Sequence, residues 1–288
     1  MSVVVATRVR PFNARELALN SRLCVRMEDA STVLTSETGE ERAFAFDYSF
    51  WSHDGFREEA DGRHVSADGR YADQAAVYDR VGRQILSNAL AGYHCCLFAY
   101  GQTGAGKSYS MVGFGANLGI VPTMCQQIFA QLTAPVAGQR SYEINFSMLE
   151  IYNERVQDLL VPIARRTPGG LKVHQSKSLG VYVDGLSKHA VDGYAALEER
   201  MSEGNRNRTI AATQMNASST RAHTIFTIEL KQKEVVGGRR IEKLSVINLV
   251  DLAGSEKLSK SGASGDRLRE GCFINKSLTV LGLVIATL

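Results

Sequence analysis

The sequence predicts an α/β domain built around a phosphate-binding loop, and three features carry that prediction. Apolar runs of strand length alternate with stretches of helical spacing. One such run, Cys95-Cys96-Leu97-Phe98-Ala99-Tyr100, leads into Gly101-Gln102-Thr103-Gly104-Ala105-Gly106-Lys107-Ser108, which fits the G-x-x-x-x-G-K-[ST] pattern at every position. A second apolar run, Leu244–Val250, delivers Asp251-Leu252-Ala253-Gly254-Ser255-Glu256. Glycines let a loop curl until successive N–H groups converge on an anion. Lys107 then supplies a point charge to the outer phosphates, and the Ser108 hydroxyl is placed to ligate Mg²⁺. A plain Gly-rich surface turn would have no reason to follow an apolar strand, so the stretch is read as a nucleotide site.

The 288 residues suffice for one large α/β domain or two small ones. With no low-complexity tract, repeat or linker, one domain spanning 1–288 is expected. A net charge of +3 is too mild to name a partner. The five cysteines show no metal-finger or C-x-x-C spacing, which points to a reducing compartment. The N-terminus lacks the apolar core of a signal peptide, and no apolar run is long enough to span a bilayer. The expectation is a soluble, intracellular protein with no direct membrane contact.

Along the chain, Val3–Arg10 reads as a strand ended by Pro11, and Ala43–Phe50 as a second. The polar stretch Ser52–Gly69 reads as a surface loop, longer than usual and without a derivable role. Val77, Val81, Ile85, Ala89 and Leu90 repeat at helical spacing up to a stop at Gly92. A helix starts at Lys107, breaks at Gly113-Phe114-Gly115 and resumes over Pro122–Leu132. Tyr142–Leu160 is extended, and Thr167–Gly170 a turn. Asp192 is a good N-cap for a helix carrying Tyr194, Leu197 and Met201 and ending at Gly204. Strands Thr224–Leu230 and Leu244–Val250 are joined by a turn at Gly237-Gly238. A last helix begins near Phe273, with Leu278, Leu281, Ile285 and Leu288 at i, i+3, i+7 and i+10.

An apolar strand ending in Asp251, with Gly254 three residues on, is how phosphate-loop NTPases bring a carboxylate near Mg²⁺ and a glycine N–H near the γ-phosphate. Alone the D-x-x-G pattern is often a turn; downstream of a phosphate loop it reads as functional. Asn216-Ala217-Ser218-Ser219-Thr220-Arg221-Ala222-His223 is dense in hydroxyls and carries one Arg just before a strand. It reads as a switch segment for Mg²⁺ and γ-phosphate rather than a solvated loop. His223 reads as a structural strand-edge residue rather than a general base.

These segments resemble the phosphate loop, switch I and switch II of a kinesin motor domain. Arg8-Val9-Arg10-Pro11 is similar to that family's adenine-side motif, and Phe273-Ile274-Asn275-Lys276-Ser277-Leu278 to the start of its microtubule-facing switch helix. Within the family, Phe46–Ser52 and Gly204–Thr209 look most like the N-terminal-motor vesicle transporters. The resemblance implies a central mixed, mostly parallel sheet with helices on both faces, and a C-terminal part of the domain missing after Leu288. It implies ATP or ADP with Mg²⁺ as ligands. Arg8, Arg10, Pro11 and Tyr109 would lie around adenine, Ser108, Thr220 and Asp251 about the metal. Arg221 would pair with Glu256, Glu256 would relay a proton from the attacking water positioned by Ser219, and the Gly254 N–H would sense the γ-phosphate.

Thr220 and Ala222 stand where the family pattern has Ser; Thr220 keeps a ligating hydroxyl, and Ala222 loses a hydrogen bond. The resemblance further implies that two basic stretches, Arg165–Lys177 and Lys257–Lys276, face the acidic microtubule. Neither has the interleaved aromatics expected for nucleic acid. The implied activity is a microtubule-stimulated ATPase located on the cytoskeleton. The alternatives are a regulatory GTPase-like switch, for which Asn275-Lys276-Ser277-Leu278 is no guanine-reading motif, and a microtubule-binding module with an incomplete or inactive ATPase.

Overall fold

The computed structural model describes residues 3–132, 140–177, 180–214, 221–236, 239–256 and 266–287. Strand β1 (Ala6–Val9) is followed by a short helix, α1 (Ala14–Ala18), whose Asn13 cap and Glu16 satisfy each other's backbone N–H groups. An antiparallel sheet of β2 (Val25–Glu28), β3 (Ser31–Thr35) and β4 (Glu41–Ala45) precedes β5 (Tyr48–Trp51), which pairs parallel with β1. The single strand expected over Ala43–Phe50 is therefore two. Phe46 N–H still donates to Ala30 O in the small sheet, whereas the next residue, Asp47, bonds Val5 through both its N–H and its carboxylate. The chain changes sheets between those two residues.

The expected loop after Ser52 holds a hairpin, β6 (Phe56–Glu58) with β7 (His64–Ser66). Phe56 stacks on His64 at 4.5 Å and tilts against Tyr71 at 5.3 Å. Asn117 pins the hairpin, accepting from His64 N–H and donating to Gly62 O. The helical spacing from Val77 onward is observed as α2 (Gln74–Val77), one wider π turn over Tyr78–Gly82, and α3 (Arg83–Leu90). Asp73 caps its start, and Gly92 at φ 104° ends it.

Strand β8 (Cys95–Ala99) enters the glycine-rich loop, and α4 (Lys107–Met111) leaves it. The two-residue strands β9 (Gly113–Phe114) and β10 (Asn117–Leu118) break the helical path before α5 (Ile120–Leu132). Then come β11 (Arg140–Tyr152), β12 (Arg155–Asp158), β13 (Val173–Ser176), β14 (Gly180–Val183), β15 (His189–Ala190), helix α6 (Tyr194–Gln214), β16 (His223–Val236), β17 (Arg239–Asp251) and helix α7 (Asp266–Thr287).

The central sheet runs β12-β11-β16-β17-β8, with β15 also on β11. It is mixed, as expected, but among the described residues its pairings are mostly antiparallel rather than mostly parallel; the parallel ladder is β17–β8. Short connections are the reason. The turn at Asn153-Glu154, both at positive φ, folds β11 onto β12, and only two residues separate β16 from β17. A parallel crossover needs a dozen residues or more.

Alternate residues of the long strands enter the core: Phe146 and Met148 from β11, Phe226, Ile228 and Leu230 from β16, and Ile247 and Leu249 from β17 are all fully buried. They meet Leu86 and Ala89 of α3, Met124 and Ile128 of α5, and Leu197 of α6. Helix α6 does not stop at Gly204. A Cβ there would lie 2.3 Å from Met148 Sδ, so this glycine lets the helix approach the sheet and continue. On α7, Val280, Leu283, Val284 and Ile285 are exposed. No helix among the described residues is long and apolar enough to cross a membrane.

Candidate nucleotide site

Parallel pairing of β8 and β17 brings two loop-bearing strand ends to one edge, with Ala99 opposite Asp251. That register, which places ligand sites at the carboxyl ends of parallel strands, puts the glycine-rich loop beside the acidic residue. Gly106 caps α4 in the left-handed region, at φ 92°, a conformation that costs other residues energy. Lys107 Nζ arches over the loop and donates to Gly101 O (2.9 Å) and Gln102 O (3.0 Å). Burial lowers its pKa against the raising fields of Asp251 and Glu256.

Ser108 Oγ donates to Asp251 Oδ2. The other oxygen, Oδ1, is buried with no hydrogen-bond partner among the described residues. A buried carboxylate oxygen in that condition costs energy unless a donor or cation satisfies it. Burial accordingly raises the Asp251 pKa, against the opposing Ser108 bond and the charges of Arg208 and Lys107. A hydroxyl and an unsatisfied carboxylate oxygen are hard donors of the kind Mg²⁺ takes, so these residues fit that ion. They line a cavity of about 250 Å³ with Thr103, Lys107, Tyr109 and Arg208.

At one end of the cavity Arg8 is clamped. Its Nε donates to Ser52 Oγ (2.9 Å), Nη1 to Gln74 Oε1 (2.7 Å) and Ser110 Oγ (3.0 Å), and Nη2 to Ala72 O (3.4 Å). Its Cζ lies 5.3 Å from the Tyr109 ring centroid. The guanidinium is thus a floor beneath Tyr109, and Gln74 Nε2 adds a bond to Tyr109 O. Arg10 Nε donates to Gly104 O, and its other nitrogens bind Glu16 and Pro11 O, so it props the phosphate loop from below. Those Arg10 bonds, followed by the Asn13 N–H, pull the Glu16 pKa down to about 2. Pro11 is exposed; beside it Phe12 packs edge-on against His53, whose Nδ1 contacts Arg10 O.

At the other end, Ser219 and Thr220 fall outside the described residues. Arg221 precedes buried Ala222, which lines the cavity. Leu252 N–H donates to Ala99 O and Ser255 N–H to Gly101 O, laying the segment after Asp251 along the phosphate loop. Gly254 has no room for a Cβ, which would come within 2.3 Å of both Thr103 Oγ1 and Glu256 Oε2. Glu256 is held by Thr103 at both oxygens. Buried His223 accepts from Ala253 N–H at Nδ1 (3.0 Å) and meets Ser277 Oγ at Nε2 (2.8 Å). It joins β16, the segment after β17 and helix α7, and burial, then the Lys107 charge, lower its pKa.

Arg208 was not legible as a site residue, because ending α6 at Gly204 left it in a loop. It lies one turn beyond Gly204 on the same face, and its Nη1 reaches Thr224 Oγ1 at 3.1 Å. Of the first basic stretch, Arg165, Lys172 and Lys177 are exposed, but Arg166 turns inward: its Nε donates to Val161 O and its Nη2 is buried. In the second, Lys276 is exposed, and Lys257 and Lys260 lie outside the described residues.

A sequence model of the kinesin motor domain matches residues 8–288. Kinesin-related protein 1 of Dictyostelium discoideum is 44% identical over 305 aligned positions, and human kinesin-like protein KIF13A is 47% identical over 296. They cover 100% and 99% of this chain, which spans only 13% and 16% of their lengths. Among solved structures, the KIF14 dimer with AMP-PNP on a microtubule superposes with a TM-score of 0.85 at 39% identity, covering 100% of this chain and 78% of that one. A fast kinesin gives 0.84 at 36% identity, covering 100% and 75%. The phosphate loop, the Asp251 strand end and the mixed sheet that joins them are those of a kinesin motor domain, the family to which this chain belongs.

Proposed function

We propose that the chain is an ATP-hydrolysing microtubule motor domain that couples Mg-ATP hydrolysis to microtubule binding and movement. The observation that carries this reading is the buried Asp251 carboxylate beside the phosphate loop, its Oδ2 bonded to Ser108 and its Oδ1 unsatisfied among the described residues. Adenine would lie against Tyr109, with Arg8 as floor and Arg10 and Pro11 beside it. The N–H groups of Gln102–Lys107 and the Lys107 ammonium would take the phosphates. Ser108, Thr220 and Asp251 would hold Mg²⁺, directly or through water, and the ion would supply neutralisation of the phosphate charge. Glu256 would accept the proton of a water positioned by Ser219, Arg221 would pair with Glu256 behind the γ-phosphate, and the Gly254 N–H would sense that phosphate.

KIF14, the structural neighbour, has been seen on microtubules with AMP-PNP and with ADP. The same partner is proposed here, met by exposed Arg165, Lys172, Lys177 and Lys276, which places the protein on the cytoskeleton. The test is turnover of ATP and GTP by the purified chain, with and without microtubules, beside Glu256→Ala. Microtubule-stimulated turnover selective for ATP, falling about a hundredfold or more in the variant, is expected. Co-sedimentation without turnover would leave a microtubule-binding module instead.

A further inference from the structure

We propose that Thr103 is a positioning residue for hydrolysis, fixing the Glu256 carboxylate against the phosphate loop; this deepens the function proposed above and rests on it. Thr103 Oγ1 donates to Glu256 Oε1 at 2.7 Å, and Thr103 N–H donates to Oε2 at 2.8 Å. Two donors on one residue thus hold both oxygens of a side chain 153 positions away. The backbone between is held as well. Ser255 N–H donates to Gly101 O at 3.1 Å, and Gly254 leaves the space in which the Thr103 hydroxyl and Glu256 meet. A glutamate at an exposed position otherwise samples several rotamers, and a group that accepts a proton from water must stay within hydrogen-bond reach of it.

Among the described residues, a charged group whose field reaches this carboxylate is Lys107, whose Nζ is itself engaged by the Gly101 and Gln102 carbonyls. Burial alone would raise the Glu256 pKa; the two Thr103 bonds, its own backbone N–H and the Lys107 charge together outweigh it and lower the pKa from its ordinary value. At neutral pH the carboxylate is ionised with or without Thr103. The contribution to rate is therefore placement, not charge.

The test compares the parent with Thr103→Val, which removes the hydroxyl and keeps the backbone N–H, and with Thr103→Ser, which restores the hydroxyl. For Thr103→Val the expected result is a kcat about tenfold lower, the lower end for losing one hydrogen bond to a charged group. ADP affinity should stay within about twofold of the parent, and Thr103→Ser should recover kcat, because only one of Thr103's two donors has changed. A carboxyl ¹³C titration, with Glu256→Gln to assign the signal, should show the Glu256 pKa rising toward its ordinary value in Thr103→Val; this readout needs no turnover. Unchanged kcat in Thr103→Val, an unmoved titration, or a parallel loss of ADP affinity would overturn the positioning role while leaving the motor function standing. A parent chain with no turnover at all would overturn the functional reading itself.

Discussion

The two ends of the nucleotide cavity are built on different principles. At the Tyr109 end, Arg8 is bonded to Ser52, Ala72, Gln74 and Ser110, and Gln74 reaches on to Tyr109 O and Asn117 O. Those partners come from the residue after β5, the turn before α2, α2 itself and α4, so the wall is cross-linked through several elements. At the Glu256 end, the hydrogen bonds among the described residues are fewer: Glu256 is held by Thr103 and Arg208 by Thr224. Moreover, the Thr103 N–H belongs to the nest that a phosphate would use, which leaves the Thr103 hydroxyl as the donor that holds Glu256 when the loop is occupied. One wall is prebuilt and orients a ligand. The other rests on few contacts, made directly beside the phosphate nest, which suits it to report what the loop holds.

The largest expected effect breaks the site between the two walls. Lys107→Ala removes the ammonium that bridges Gly101 and Gln102 and would meet the outer phosphates. Affinity for ADP and ATP should fall by about two orders of magnitude or more, measured by titration with a fluorescent nucleotide, as for loss of charge-assisted hydrogen bonds. Retention of ADP at parental affinity would mean that the cavity is not organised around the loop.

Next in size is a direct contrast of the walls. Arg8→Ala strands several part-buried acceptors and should lower stability by about 2–4 kcal/mol. For a chain of this length that is a fall of roughly 3–7 °C in Tm. Arg208→Ala, with one bonded partner, should shift Tm by less than half as much. Thermal unfolding of the two variants side by side measures this, and equal shifts would erase the distinction.

The smallest effect concerns pH. His223 is neutral at Nδ1, where it accepts from Ala253 N–H, and its pKa lies below the ordinary histidine value because of burial and the Lys107 charge. A base with a depressed native pKa contributes stability that is complete above its unfolded pKa, about 6.5, and is lost as pH falls below it. Stability should thus decline by up to about 1.4 kcal/mol per pH unit below that point, until the native pKa is passed. In His223→Gln this component of the slope should vanish, as denaturant melts at pH 7.5 and 5.5 would show. An identical slope in parent and variant would place the pH response elsewhere.

What the sequence determined by itself is what depends on neighbours along the chain. Gly101–Ser108 was legible because a phosphate nest is made by consecutive residues, and Asp251 because an apolar strand carried it. The breaks at Gly92 and Gly113 were legible because positive φ is a local demand that glycine meets. The hairpin of β6 and β7 was not, since Phe56 earns its place only by stacking on His64 and Tyr71. Gly204 was misread as a stop because a packing glycine and a capping glycine look alike until Met148 is brought against one of them. Arg166 read as one of a basic stretch facing the microtubule, and only the tertiary structure turns it inward with Nη2 buried. The antiparallel majority of the sheet, the Thr103 hold on Glu256 and the arrival of Arg208 in the cavity were likewise decided only by tertiary structure. Each joins residues far apart in the chain, and hydrogen-bond partners at such separation follow from sheet register and helix length, which local propensity and spacing do not encode.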